Sequence, residues 1–133
     1  LSENITVHSI VGNFLEHARI FYFANGGSPE VYMGSADWMP RNLDKRVEIM
    51  FPVEDPALKE QVIHILKVQL ADNVKAHILQ PDGTYEKIDK RGKVLVTAQE
   101  QFCEEAVAMA KAATARDDVH NTRVFVPSEG QGL

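Results

Sequence analysis

Cysteine is almost absent: Cys103 is the single one in 133 residues, which excludes an intramolecular disulfide framework and a cysteine zinc cluster. Long apolar runs are missing as well. Nowhere do about 18 apolar residues follow one another, the length a membrane-crossing helix requires. No basic segment followed by an apolar one opens the chain, so no secretory signal is expected, and a reducing cytosol is the expected compartment. Positive charge is not in excess. Fourteen Lys and Arg stand against nineteen Asp and Glu, a formal net charge of −5 that argues against a general nucleic-acid-binding surface. Neither a glycine-rich Walker loop nor a protein-kinase signature occurs, so a conventional nucleotide site is not encoded. Internal repeats and low-complexity stretches are lacking too. What is there is ordinary globular composition, 44% hydrophobic and 25% charged, at a length that suits one domain with its own core.

Hydrophobic periodicity supplies the elements. Val7, Ile10, Val11, Phe14 and Leu15 recur at helical spacing and predict a helix over 6–16. Arg19 to Phe23 and Glu30 to Gly34 are dense β-branched and aromatic runs around the turn formers Asn25-Gly26-Gly27-Ser28-Pro29, which predicts a hairpin with a five-residue loop. Residues 35–45 read as irregular, broken by Pro40, and Arg46 to Val53 as a third strand with Val47, Ile49 and Phe51 on one face. Asp55-Pro56 is a helix start, an N-cap followed by proline at the first helical position. That helix should bury Leu58, Val62, Ile65, Leu66 and Leu70 and stop at Asp72-Asn73, where Asn tolerates left-handed geometry. Lys75–Leu79 and Thr84–Ile88 predict two short strands around the turn Pro81-Asp82-Gly83, and Thr97 caps a last helix with the stripe Phe102, Ala106, Met109 and Ala113. The order is that of a mixed α/β or α+β domain, a mixed β-sheet packed against helices.

The chemistry-bearing residues gather around the first hairpin: His17, Arg19, Gly34, Ser35, Asp37, Arg41, Asn42, Arg46 and Glu48. If Ala24 pairs with Glu30, Arg19 faces Ser35 and His17 faces Asp37, all projecting from one end of the hairpin; a one-residue slip would break that arrangement. Histidine serves as nucleophile, general acid or general base near neutral pH, and arginine offers a planar fork that fits phosphate oxygens. Gly34 permits close approach, Ser35 adds a donor, and Glu48 can orient the imidazole or hold an arginine. Such a set suits phosphoryl transfer. Each residue also has an ordinary reading: His17 as a surface cap, and Arg41, Lys45 and Arg46 as a solvated loop balancing Asp37, Asp44 and Glu48. His64 reads as partly buried packing in its helix, Cys103 as a structural thiol beside a buried stripe, and Trp38 as an anchor for the loop after the second strand. His8, His77 and His120 show no metal-ligand spacing. Lys75, Lys87, Lys90, Arg91 and Lys93 form a local basic excess that could border a polyanion path or simply be a solvated hairpin.

Gly34-Ser35-Ala36-Asp37, with His17-Ala18-Arg19 before it and Arg41-Asn42 and Glu48 after it, resembles half of a phospholipase-D-type His-x-Lys site. Arg19 stands for the usual Lys, Asp37 for the usual Asn, and Ala24 near the place of the motif's Asp, which counts against simple phospholipase-D activity. A longer set of words resembles the bacterial polyphosphate kinase family: Ser2-Glu3-Asn4-Ile5, Ser9-Ile10-Val11-Gly12, Phe14-Leu15-Glu16-His17, Val31-Tyr32-Met33-Gly34-Ser35-Ala36-Asp37-Trp38-Met39-Pro40-Arg41-Asn42-Leu43, Pro81-Asp82-Gly83-Thr84-Tyr85 and Ala98-Gln99-Glu100. It spans residues 1–113.

The resemblance implies a phospholipase-D-like half-domain and an enzyme that moves the terminal phosphate of ATP reversibly onto inorganic polyphosphate, with Mg²⁺ whose ligands lie outside these residues. It implies that the phosphorylated histidine belongs to a preceding domain. His17 matches the family's second histidine, which contacts the nucleotide phosphates and acts as a proton donor, and Glu48 matches the acidic residue of the second half-site. Arg19, Ser35, Asp37, Arg41, Asn42 and Arg46 are carried over as phosphate-binding or orienting groups. Residues 1–115 are then expected to be the C-terminal portion of the catalytic domain and 116–133 a loosely held tail. Leu1 is expected to mark a cut within a longer kinase, and the isolated piece is expected to be inactive. Expected partners are ATP or ADP, polyphosphate, the rest of the parent chain and further copies in a homo-oligomer, but no nucleic acid. The expected location is the cytoplasm, with peripheral inner-membrane association as a variant. Two other readings are a homodimeric phospholipase-D-like phosphodiesterase and a non-catalytic phosphate-binding module.

Overall fold

The computed structural model describes residues 3–115, and the chain divides into two compact units, residues 1–99 and 100–133. The predicted tail at 116–133, with His120, lies outside the described residues.

The class is α+β, and the strands form two three-stranded antiparallel sheets. One sheet joins β2 (Ile20–Phe23), β3 (Glu30–Gly34) and β4 (Met50–Pro52), in that order. The other joins β1 (His8–Ile10), β5 (Ala76–Leu79) and β6 (Tyr85–Lys87). Three helices complete the described chain: α1 (Pro40–Lys45), α2 (Pro56–Ala71) and α3 (Ala98–Ala115).

The hairpin β2–β3 forms where the aromatic and β-branched runs predict it, but its register differs by one. Phe23 pairs with Glu30 and Ile20 with Met33, so the Gly34 amide donates to the Arg19 carbonyl at 3.0 Å, rather than Arg19 facing Ser35. The turn takes the extra residue. Asn25, Gly26 and Gly27 adopt φ of 43°, 60° and 101°, a left-handed succession open to Asn and Gly and closed to bulky residues.

The predicted helix over 6–16 is instead β1 and a loop. Strand pairing decides this: Ser9 stands opposite His77, the Val11 amide donates to the Lys75 carbonyl, and the Leu79 amide to the Val7 carbonyl. Val7, Ile10 and Val11 are β-branched and suit a strand as well as a helix, and Gly12 inside the span weakens the helix. The third strand is shorter than predicted, β4 alone, and Val47, Ile49 and Phe51 are exposed. Pro40, read as a breaker, is the first residue of α1.

α2 starts as predicted. Asp55 accepts from the Leu58 amide at 2.9 Å, and Pro56 occupies the first turn. Its inward face is shifted: Val62 and Val68 are buried, whereas Leu58 and Leu70 are more than half exposed. Val62 joins Val31 and Val53 in a small core, with Ile20, Met33 and Ile63 packed against it. The helix ends at Asp72, as expected, but without left-handed geometry; Asp72 has φ −57° and ψ 120°.

Asp72 acts through its side chain. It is fully buried, and one oxygen accepts from the amides of Val74, Lys75 and Ala76 at 2.7–3.1 Å while the other accepts from the Ala98 amide at 2.8 Å. Asn73 beside it donates to the Val94 carbonyl and accepts from the Val96 amide. Two adjacent polar side chains thus tie the start of β5 and the start of α3 to the end of α2. Further along, Phe102 is half-buried while Ala106, Met109, Ala113 and Cys103 are exposed, so the predicted buried stripe is not formed and Cys103 is no buried structural thiol. His64 is exposed rather than packed.

Candidate functional site

The site lies at the end of the sheet where β2 begins and β3 ends. Arg19 precedes β2, and Ser35 to Asp37 follow β3, so the antiparallel pairing brings the two segments side by side. The Arg19 guanidinium grips Asp37, with Nε at 2.8 Å and Nη2 at 2.7 Å from Oδ1. The expected facing of Arg19 and Ser35 is replaced by this pair, which forms because Asp37 lies beyond the strand, free of the strict alternation of faces. The Arg19 hydrogen bond holds the Asp37 carboxyl below its ordinary range; desolvation opposes this, and the charges of Arg19 and His17 add to it. Asp37 is therefore a fixed anion.

His17 is exposed, with Nδ1 3.5 Å from Arg19 Nη2. The expected facing of His17 and Asp37 is replaced by an indirect connection through Arg19. From Asp37 the chain of contacts runs on: its carbonyl accepts from Asn42 Nδ2 at 3.3 Å, and Asn42 Oδ1 accepts from Arg46 Nη1 at 3.2 Å. α1 makes this possible, since residues four apart share one side of a helical turn; Asn42 is its buried residue. Arg46 Nη1 stands 3.9 Å from Glu48 Oε1, and Glu48 Oε2 accepts a short hydrogen bond from the Ser35 hydroxyl. The Ser35 oxygen in turn accepts from the Ile49 amide at 3.0 Å.

His17, Arg19, Asp37, Asn42, Arg46, Glu48 and Ser35 thus form one polar succession. Glu48 holds Ser35 and Arg46 and does not touch His17. Arg41 is exposed and stays outside the succession. Gly34 admits the Phe21 ring, which would lie 3.4 Å from an added Cβ. Trp38 stacks on Phe21, with ring centroids 6.2 Å apart, yet remains 79% exposed, so it anchors the loop on one face only. A hollow of about 410 Å³ lies beside it, lined among others by Phe21, Trp38, Leu43, Ile49 and Met50. Of the basic residues near β6, Arg91 is engaged by Asp89 at 2.9 Å.

Composition and spacing give no sign of the roles of Gln99, Glu16 and Gln69, and mark Asp72 and Asn73 only as a helix end. Polar residues on helices carry no burial signal; only Gly12, a glycine within an apolar stretch, hints at a close neighbour.

Fold and site define an α+β domain that presents an imidazole and two arginine forks in one polar succession, a class of site suited to anionic oxygens. Residues 1–99 match the family model described as polyphosphate kinase C-terminal domain 2. The chain belongs to the polyphosphate kinase family. It is 47% identical over 128 residues to a polyphosphate kinase of Lactiplantibacillus plantarum, covering 96% of this chain and 18% of that one. It is 56% identical over 102 residues to polyphosphate kinase 1 of Chlorobaculum tepidum, covering 77% and 14%. The crystal structure of polyphosphate kinase from Porphyromonas gingivalis superposes with a TM-score of 0.75 at 38% identity, covering 83% of this chain and 17% of that one. The chain therefore spans less than a fifth of the length of these relatives. Among the described residues, no helix is long and apolar enough to cross a membrane.

Proposed function

We propose that this chain is part of a polyphosphate kinase that reversibly transfers the terminal phosphate of ATP to inorganic polyphosphate. The reaction proceeds in two displacements. A histidine nitrogen in a preceding domain bonds to the γ-phosphorus while the bond to the β–γ bridging oxygen breaks and ADP leaves. The terminal oxygen of a polyphosphate chain then bonds to that phosphorus, the P–N bond breaks, and the histidine is freed. His17 contacts the nucleotide phosphates and protonates or stabilises the leaving oxygen in the first displacement, and reverses that role in the second. Arg19, Arg41 and Arg46 offset the charge of the phosphates, Asp37 fixes the Arg19 fork, and Ser35, Asn42 and Glu48 hold Arg46 and the loops in place.

The observation that carries this reading is the single polar succession from His17 to Ser35, in a chain of this family. Mg²⁺ accompanies ATP in the reading. Among the described residues no three His, Cys, Asp or Glu side chains converge to hold a metal ion, Asp37 is engaged by Arg19, and Glu48 by Ser35. These residues do not fit a Mg²⁺ site. The chain alone lacks the phosphorylated histidine and is inactive in this account; the parent acts as a homo-oligomer in the cytoplasm.

The test is ATP-dependent polyphosphate synthesis by the full-length parent carrying His17→Ala. Because His17 is exposed, the variant folds, and kcat falls by about 10²–10⁴-fold, the usual contribution of a positioned acid or base. Undiminished activity overturns the role of His17. Synthesis by the bare 133-residue chain overturns the upstream phosphohistidine.

A further inference from the structure

The five residues before His17 form a loop without an apolar anchor: Phe14 is 62% exposed and Leu15 85%. Yet this loop is held tightly, by one side chain from the start of α3. Gln99 is 7% exposed. Its Oε1 accepts from the Asn13 amide at 2.7 Å and the Phe14 amide at 3.0 Å. Its Nε2 donates to the Phe14 carbonyl at 2.8 Å and to Glu16 Oε1 at 2.7 Å. Two donors on one side and two acceptors on the other permit only one orientation of the amide. Gln69 of α2 donates to the second Glu16 oxygen at 2.7 Å.

Two further features fit this arrangement. A Cβ on Gly12 would lie 2.2 Å from Gln99 Oε1, so a side chain there displaces the amide from its present place. The base from which Gln99 reaches out is also fixed, because the neighbouring Ala98 amide is bound by the buried Asp72 carboxylate. A continuous set of contacts therefore runs from Asp72 through the first turn of α3 and Gln99 to Glu16, which adjoins His17 in the chain.

We propose that Gln99 is a positioning residue for His17: it sets the backbone of Asn13–Glu16 and, through it, where the imidazole stands. The inference rests on the role given to His17 above. Misplacement of a reacting group by about 1 Å can cost about a hundredfold in rate.

The test uses the full-length parent enzyme, assayed for polyphosphate synthesis below the melting temperature of every variant. Gln99→Ala lowers kcat about tenfold to a hundredfold, with KM for ATP and polyphosphate within about twofold. Gly12→Ala pushes the amide away without removing any hydrogen-bonding group and gives the same split. Gln99→Glu, which sets a carboxylate against both Glu16 and the Phe14 carbonyl, is impaired, and adding Glu16→Gln, which relieves only the first conflict, restores part of the lost kcat. An unchanged kcat in both Gln99→Ala and Gly12→Ala overturns the inference, as does a loss of kcat that follows only the folded fraction. His17→Ala is run alongside. If it is impaired while the Gln99 and Gly12 variants are not, this inference alone fails; if it is fully active, the proposed function and this inference fail together.

Discussion

The two sheets are stabilised by different means. The β2–β3–β4 sheet rests on aliphatic packing, with Val31, Val53 and Val62 at its centre, and keeps its polar side chains at the exposed end where the candidate site lies. Around the β1–β5–β6 sheet the polar groups are inside: Asp72, Asn73 and Gln99 are all buried, and each satisfies backbone groups of other segments. Apolar packing is tolerant and non-directional, whereas a buried carboxylate with four backbone donors fixes geometry and is costly to disturb. The first arrangement leaves His17 and Arg41 exposed at the open end of its sheet. The second holds rigid the loop from which His17 projects.

The largest expected effect breaks the second arrangement. Asp72→Ala leaves four backbone amides without their acceptor and destabilises the chain by about 4 kcal/mol in urea denaturation, at the upper end for single substitutions. Acid sharpens the same point. Burial alone would raise the Asp72 carboxyl, but the amides of Ala98, Lys75, Val74 and Ala76 together hold it below its ordinary value of 3.8. Its contribution is thus fully present above pH 3.8 and is lost as pH falls through the lowered folded value. Asp72→Asn, which cannot ionise, has a shallower loss of stability across that window; an unchanged acid limb would contradict the role given to Asp72. A smaller effect is expected in the aliphatic core. Val31→Ala removes two buried methyl groups and costs about 2 kcal/mol, with the polar succession at the site unaltered in the NMR spectrum.

The sequence made much of the first sheet legible and little of the second. β2 and β3 are dense apolar runs around Asn-Gly-Gly, so local chemistry and tertiary structure agree there. The site residues Ser35, Asp37, Asn42, Arg46 and Glu48 follow from chain proximity to that hairpin, although the register between strands does not, because a six-residue turn and a five-residue one look alike in composition. α2 was visible in its Asp55-Pro56 cap. By contrast, β1 has the spacing of a helix, and only its pairing with the distant β5, Ile10 opposite Ala76 and His8 opposite Ile78, makes it a strand. Gln99 and Asp72 read as ordinary helix-end residues. Their importance comes from long-range partners, such as Phe14 and Ala98, that no local pattern announces.

In the proposed reaction His17 is the second, unphosphorylated histidine, and mapping the phosphoenzyme tests this most directly. The parent kinase is labelled with γ-³²P-ATP, digested at alkaline pH, and the acid-labile label located by mass spectrometry. Phosphohistidine is expected in a peptide outside these 133 residues, with His17 unlabelled. Label on His17 would contradict it.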